Sequence, residues 1–191
     1  YAVFYPIFQE VEDRDYIDLK LWNRRAREVN SELFYRSTSQ KVPRQIAWDG
    51  NLFRLLGYFA AEGSLTRSYP NSESWFSFSF SNQEEEYIKD VEHLLSTIFH
   101  LKGKRHYHNG GCQISISSKP IVRWLSSHGH QFRRGLTQLL ERANPELQQS
   151  FLQGLFRGDG HINAQSVSIV SATPELAFLT RTLLLRMGIV P

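Results

Sequence analysis

The chain carries two similar nonapeptides, LLGYFAAEG at residues 55–63 and LQGLFRGDG at residues 152–160. Each has a glycine followed four positions later by another small residue, so the two share one helical face. These pairs are Gly57 with Ala61, and Gly154 with Gly158. Two faces of this kind allow two helices to pack with their backbones unusually close. The repeat therefore predicts a pair of helices in direct contact, the first capped by Asp49 or Asn51.

The motifs also place two carboxylates, Glu62 and Asp159, at the C-terminal ends of the two predicted helices. A helix C-terminus already carries roughly half a negative charge. Two acids held together there repel, unless one takes up a proton or a cation neutralises the pair. Oxygen ligands with open positions favour Mg²⁺ or a similar ion. One motif alone would most simply be a buried helix with a capped end, but two matched copies indicate a shared metal site.

The two nonapeptides resemble the paired motif of LAGLIDADG homing endonucleases, in the two-repeat form found inside inteins and as free-standing enzymes. The resemblance runs from about Lys41 to the C-terminus. It implies an α+β fold in which two pseudo-symmetric repeats of αββαββα type pack their motif helices centrally and grip DNA with antiparallel sheets. The first repeat would span residues 49–150 and the second residues 151–191.

The second repeat is expected to be incomplete in this chain, because the residues after Gly160 leave room for one or two strands and one helix. The later hairpin and the final helix of a full repeat have no counterpart there. A C-terminal segment or a second chain would then complete the second sheet.

Residues 1–48 are interpreted as a leader into the main body. Their acidic and basic runs are typical of a solvated surface. The segments Tyr1–Ile7 and Glu10–Leu19 resemble the junction between an intein's splicing domain and its endonuclease. The chain has no N-terminal splicing Cys or Ser and no C-terminal His-Asn, so it is not expected to splice.

Residues 75–81 alternate at period two and predict a strand. Phe76, Phe78 and Phe80 should face the helices, while Trp75 and three serines should face outward. A row of small hydroxyls suits contact with groove edges or phosphates, although an ordinary solvated sheet face has the same pattern. Residues 83–100 predict a helix, and residues 104–117 a hairpin around an Asn-Gly-Gly turn.

Between Leu101 and Leu140 the chain has seven Lys or Arg residues and no acid, which is typical of a phosphate-binding surface. With the outward-facing strand residues and the start of the second repeat, this window predicts the contacts to double-stranded DNA. The predicted contact residues are Arg67, Trp75, Ser77, Ser79, Ser81, Lys102, Lys104, Arg105, Gln113, Ser115, Ser117, Lys119, His161, Asn163, Gln165 and Ser168.

The family resemblance implies Mg²⁺-dependent hydrolysis of both strands of a long, specific DNA target, with Glu62 and Asp159 as metal ligands. Mn²⁺ or Ca²⁺ could replace Mg²⁺ for binding, and the backbone carbonyls of Ala61 and Gly158 are further candidate ligands. Two other roles carry over from the family. Asn82 or Gln83 would orient a water, and Arg133 or Arg134 would replace a family lysine, although arginine is a poor proton carrier.

Two other classes of function stay open. One is an RNA-binding intron maturase on the same fold, against which the intact acids in both motifs argue. The other is a DNA-binding remnant of an intein endonuclease that no longer cuts, which the short second repeat favours.

The remaining sequence features predict an intracellular protein, in the cytoplasm or nucleoid, or in an organelle if the gene lies in an intron. No apolar run approaches a membrane span, and no signal peptide is visible. The single Cys112 suits a reducing compartment.

Overall fold

The computed structural model describes residues 11–12, 14–35, 40–66, 74–127, 132–171 and 173–190. The helices are α1 (Gly50–Glu62), α2 (Glu85–Phe99), α3 (Lys119–Ser127), α4 (Phe132–Arg142), α5 (Pro145–Asp159) and α6 (Pro174–Arg186). The strands are β1 (Tyr16–Asp18), β2 (Arg27–Val29), β3 (Glu32–Phe34), β4 (Val42–Pro43), β5 (Gln45–Ala47), β6 (Gly63–Thr66), β7 (Trp75–Ser81), β8 (Lys104–His108), β9 (Gly111–Ser117), β10 (Gly160–Ile162) and β11 (Val167–Ile169). No helix in these ranges is long and apolar enough to cross a membrane.

The two motif helices, α1 and α5, pack against each other along the centre of the molecule, as the repeat predicts. Their N-termini are capped in the same way. The side chain of Asp49 accepts a hydrogen bond from the Leu52 amide at 2.9 Å, and that of Asn144 accepts one from the Leu147 amide at 2.9 Å. Both helices pass at a glycine directly into a strand, so each carboxylate lies between a helix and a sheet.

The main sheet is antiparallel, with strand order β6-β7-β9-β8. Phe76, Phe78 and Phe80 are buried on its helix-facing side, as predicted. Their rings meet the aromatic side chains of α1 edge to face. Phe59 lies 5.6 Å from Phe78, and Tyr58 lies 5.9 Å from Phe80, between ring centroids. These aromatic contacts fix the position of the sheet relative to α1, whose last residue is Glu62.

The described part of residues 1–48 is built into the core of the first repeat, which corrects their interpretation as a leader. Strand β1 pairs with β5, which leads directly into α1. Ile17, Leu33 and Ile46 are buried in the same hydrophobic cluster as the aromatic residues of α1. The apolar run Tyr1–Ile7 lies outside the described residues.

After α5 the chain forms one small hairpin, β10–β11, and then helix α6. Both strands of the hairpin have three residues, and Val167 is 62% exposed. Helix α6 buries Leu176, Leu179 and Leu183, and it packs on α4 and α5. The boundary expected between residues 150 and 151 falls inside α5, which begins at Pro145.

Candidate metal and nucleic-acid site

The contact between α1 and α5 depends on the absence of side chains at Gly57 and Gly154. A Cβ atom added to Gly57 would overlap the carbonyl oxygen of Phe151 and lie 3.0 Å from the Cα of Gly154. One added to Gly154 would overlap the carbonyl oxygen of Arg54. The backbones of the two helices therefore touch, which no residue with a side chain would permit at either position.

The C-terminal ends of α1 and α5, which carry Glu62 and Asp159, are brought together by the same contact. We call them the acid ends. A Cβ atom on Gly158 would lie 3.3 Å from the Cγ of Glu62 and would press on the side chain of Ala61. Glu62 is half-buried. Burial, followed by the negative charges of Asp159 and Glu84, raises the pKa of Glu62 to about 7. The repulsion predicted for the two motif carboxylates is thus present in the folded chain.

Glu84 is a third acid near this end, and the sequence pattern did not single it out. It follows the turn at Asn82 and Gln83, whose side chains are exposed. The carboxylate of Glu84 accepts a hydrogen bond from the Ser81 amide at 2.8 Å, and the Asn82 amide donates to the Gly110 carbonyl at 2.9 Å. Because the charge of Glu84 acts on Glu62, this turn lies within electrostatic range of the motif carboxylates.

A polar cluster around Asp90 joins both motif helices to α2. The carboxylate of Asp90 accepts hydrogen bonds from Arg54 at 2.9 Å and from the Tyr58 hydroxyl at 3.0 Å, both on α1. It also accepts one from Arg157 of α5 at 2.9 Å. Burial is the main cause that raises the pKa of the Tyr58 hydroxyl, which keeps it protonated as a donor. Arg157 is two residues before Asp159 in α5, so this member of the cluster is attached within one helical turn of that carboxylate.

The outer face of the main sheet carries half of the predicted DNA contacts. In the register of the sheet, Ser79 lies opposite Gln113, and Ser115 opposite Lys104. These residues share the face that the three buried phenylalanines leave free. The exposed members of the predicted set on the first repeat are Trp75, Ser79, Ser81, Lys102, Lys104, Gln113 and Ser117, while Ser115 and Lys119 are half-buried.

Two members of the predicted set are corrected by their environment. Ser77 lies on the outer face but is only 3% exposed, and its hydroxyl is 2.8 Å from that of Ser64. Arg105 lies on the opposite face, where its guanidinium binds Glu92 at 2.6 and 2.7 Å and Glu85 at 3.0 Å. Strand alternation separates Arg105 from Lys104, so this cation stabilises the sheet against α2 instead of facing a groove.

The remaining predicted residues lie on the second hairpin or outside the described residues. His161, Gln165 and Ser168 are exposed on the hairpin, and the side-chain oxygen of Asn163 accepts hydrogen bonds from two amides of its turn. Arg133 and Arg134 fall in the first turn of α4, and their side chains lie outside the described residues, as does Arg67.

Comparison with known proteins defines the class of this fold. The family model described as a LAGLIDADG-like domain matches residues 50–129 and 146–191, and the chain belongs to this family. Both motif helices fall almost entirely within the matched ranges. The predicted resemblance is therefore confirmed.

Curated relatives in archaea share the segment but differ in name. An uncharacterized protein of Methanocaldococcus jannaschii is 30% identical over 168 residues, which are 81% of this chain and 19% of that protein. The RNA polymerase subunit Rpo1C of the same organism is 24% identical over 84% of this chain and 18% of its own length. The DNA helicase Hel308 of Thermococcus kodakarensis is 24% identical over 98% of this chain and 17% of its own length. The chain thus spans less than a fifth of these relatives.

Solved structures of similar fold include the homing endonuclease I-DmoI. The chain superposes on I-DmoI in complex with DNA and Mn with a TM-score of 0.59 and 19% identity, over 74% of this chain and 79% of that one. A complex of I-DmoI with DNA and Ca gives a TM-score of 0.58 and 17% identity, over 74% and 73% of the two chains. The fold is that of the LAGLIDADG homing endonucleases, and the predicted α+β class is confirmed.

Proposed function

We propose that this chain is the DNA-cleaving part of a site-specific homing endonuclease, which hydrolyses phosphodiester bonds on both strands of a duplex. The observation that carries the proposal is the pair of carboxylates, Glu62 and Asp159, at the ends of two helices whose backbones touch. Each helix leads directly into a strand, so a duplex lying on the sheets would bring its phosphates to the acids. The DNA-bound state of I-DmoI in its solved complexes supports this substrate.

The residues at the acid end suit a divalent cation that keeps part of its water shell. In the described ranges no three His, Cys, Asp or Glu side chains form a ready cluster. Two carboxylates would therefore leave positions for water, for phosphate oxygens and for the carbonyls of Ala61 and Gly158, as Mg²⁺ prefers. Because burial and neighbouring negative charge raise the pKa of Glu62, a cation held here would relieve the repulsion between the acids. A bound divalent ion would polarise the scissile phosphate and lower the pKa of the attacking water.

The protein's own residues would position the two strands. Glu62 and Asp159 come from different helices, and a pseudo-two-fold relation between these helices would match the symmetry of duplex DNA. The exposed turn at Asn82 and Gln83, which precedes Glu84, would hold a water beside the phosphate. The polar outer face of the main sheet would set the register of the duplex through groove and phosphate contacts.

The test of this proposal is cleavage of a plasmid that carries the sequence flanking the host gene, with and without Mg²⁺. Glu62→Gln should abolish cutting and leave DNA affinity unchanged or slightly raised, because one charge that repels phosphate is gone. Glu86→Gln, an exposed carboxylate on α2, is the matched control and should cut normally. Double-strand cutting by Glu62→Gln at the normal rate would overturn the assignment.

A second candidate is a DNA-binding remnant that no longer cuts. It is favoured by the second hairpin, whose strands have three residues each against seven in β7 and β9. A remnant would retain duplex binding but show no nicking at any divalent-ion concentration.

An intron maturase on the same fold is distinguished by a competition experiment, in which it would bind its intron RNA more tightly than the duplex.

We also propose that the segment is an inserted element of the intein type. The relatives carry names as different as an RNA polymerase subunit, an aminotransferase and a helicase. Each is similar to this chain over less than a fifth of its length, which is the pattern of one mobile segment in unrelated hosts. Sequencing of the surrounding gene tests this: host-protein sequence on both sides supports insertion, and an independent start codon directly before the segment contradicts it.

A further inference from the structure

A cluster of cations lies around Tyr35 beside the main sheet, and only one of its members, Lys119, belongs to the predicted DNA contacts described above. The Nζ atom of Lys119 lies 4.9 Å from the centre of the Tyr35 ring, and the guanidinium carbon of Arg123 lies 5.1 Å from it. Arg25 is close enough for its charge to act on the Tyr35 hydroxyl. We call Arg25, Lys119 and Arg123 the Tyr35 patch.

The patch brings together parts of the chain that are distant in sequence. Asn23 fixes the arrangement, since its amide donates to the Pro120 carbonyl at 3.1 Å and its oxygen accepts from the Tyr35 hydroxyl at 2.9 Å. Asn23 is fully buried. The basic stretch before β2 is therefore held against the start of α3, where it adds to the charge of Lys119 and Arg123.

The cations of the patch are not neutralised by carboxylates. The carboxylates of the same region form ion pairs with other cations: Asp18 and Glu28 with Arg44, and Glu32 with Lys41. Within the described part of the chain, none of Arg25, Lys119 and Arg123 has an ion pair to a carboxylate. Arg25 and Arg123 are exposed. Three such cations around one aromatic ring form a surface suited to anions, and the ring already orders Lys119 and Arg123.

The position of the patch relates it to the proposed duplex. Lys119 lies two residues after Ser117, which ends β9 and pairs with Trp75 at the outer end of the sheet. Gly63, next to the acid end of α1, pairs with Phe78 three residues along β7. At roughly 3.3 Å per strand residue, Ser117 therefore lies about 10 Å from the level of Gly63 along the strand direction. For a duplex that lies along the strands, this separation corresponds to about three base pairs.

We propose that the Tyr35 patch binds the phosphate backbone of duplex DNA that flanks the bases covered by the main sheet. This inference rests on the proposed function and extends its DNA footprint to residues before α1. The contact is independent of base sequence, because it is made by cations to phosphates. It gives the region before α1 a role in holding DNA.

The experiment is a titration of a long duplex of arbitrary sequence over a range of salt concentrations, in Ca²⁺. Each lost phosphate contact reduces the slope of log affinity against log salt by about 0.9. Lys119→Gln with Arg123→Gln should therefore reduce the slope by about 2 and weaken binding most at low salt. Adding Arg25→Gln should reduce it by about 1 more.

The matched control is Lys41→Gln with Lys89→Gln, which removes the same charge from cations that are already paired to Glu32 and Glu85. It should leave the slope nearly unchanged. If the double patch variant melts early, Arg123→Gln alone gives a slope change of about 1, and the swap of Lys119→Arg with Arg123→Lys restores it.

The outcomes separate the two proposals. Equal slopes for the patch variant and the unchanged chain would overturn the patch and leave the proposed function intact. If the patch variant reduced the salt slope only for an RNA duplex, the patch would be an RNA contact, and the proposed DNA contact would be overturned. Failure of the unchanged chain to bind any duplex would overturn both.

Discussion

The two repeats share nearly the same central helix but differ in the segments after it. Helix α1 leads into a four-stranded sheet that buries three phenylalanines, whereas α5 leads into a hairpin of three-residue strands with exposed Val167. The motif therefore specifies the helix pair and the position of the acids, and it does not specify the sheet. The candidate metal site takes one carboxylate from each helix, while the larger sheet surface lies in the first repeat.

The largest expected effect on stability tests the feature that the two repeats share, which is the contact between α1 and α5. Gly154→Leu should lower the free energy of unfolding by several kcal/mol, above the usual overpacking range of about 1–3 kcal/mol, because its Cβ would meet backbone that cannot move aside. Thermal unfolding measures this. Gln153→Leu, at an exposed position on the same helix, is the control and should change stability little. An unchanged melting temperature in Gly154→Leu would show that the helices do not meet there.

The Asp90 cluster is the polar link between the repeats, and its loss should have the next largest effect. Asp90→Asn would leave Arg54 and Arg157 without their carboxylate while the side-chain shape is kept. Breaking a largely buried ion pair costs about 3–5 kcal/mol, and the partial exposure of both arginines reduces this to about 2–3 kcal/mol. Urea unfolding measures the loss, with His93→Gln at an exposed position on the same helix as control. A change below about 0.5 kcal/mol would show that the cluster does not hold the repeats together.

The sequence predicts the features that depend on residues close together in the chain, and it does not predict contacts between residues that are far apart in the chain. Alternation along β7 places Phe76, Phe78 and Phe80 correctly, because strand periodicity is local. The same rule separates Arg105 from Lys104, which a count of charges does not reveal. The Asp90 cluster joins residues 54, 90 and 157 across three helices, and no spacing in the chain marks such a contact. The Tyr35 patch has the same origin, since only tertiary packing brings Arg25 to α3.

The acid end provides a pH test of the metal site. Burial and neighbouring negative charge raise the pKa of Glu62 to about 7. Its stabilising contribution is therefore complete below the pKa of the unfolded chain, near 4.5, and is lost as pH rises through about 7. Because Glu62 is only half-buried, solvent screening reduces the expected loss to about 1–2 kcal/mol.

This loss is measured by unfolding in EDTA between pH 5 and pH 8. Mg²⁺ should restore stability at the higher pH, and Glu62→Gln should remove both the pH dependence and the response to Mg²⁺. A pH dependence that persists in Glu62→Gln would assign the effect to another group.

The smallest expected effect is on duplex affinity, and it compares one glutamine on the main sheet with one on the second hairpin. Gln113 lies on the main sheet with its amide nitrogen 3.5 Å from the Ser77 hydroxyl, whereas Gln165 lies in the exposed turn of the second hairpin. Binding would have to order Gln165, at a cost of about 0.5–1.5 kcal/mol that cancels much of a hydrogen bond worth about 1 kcal/mol. Gln113→Ala should therefore weaken duplex affinity by about 1 kcal/mol, and Gln165→Ala by less than about 0.5 kcal/mol. Titration in Ca²⁺ measures both, and equal losses would mean that the short hairpin binds DNA as the main sheet does.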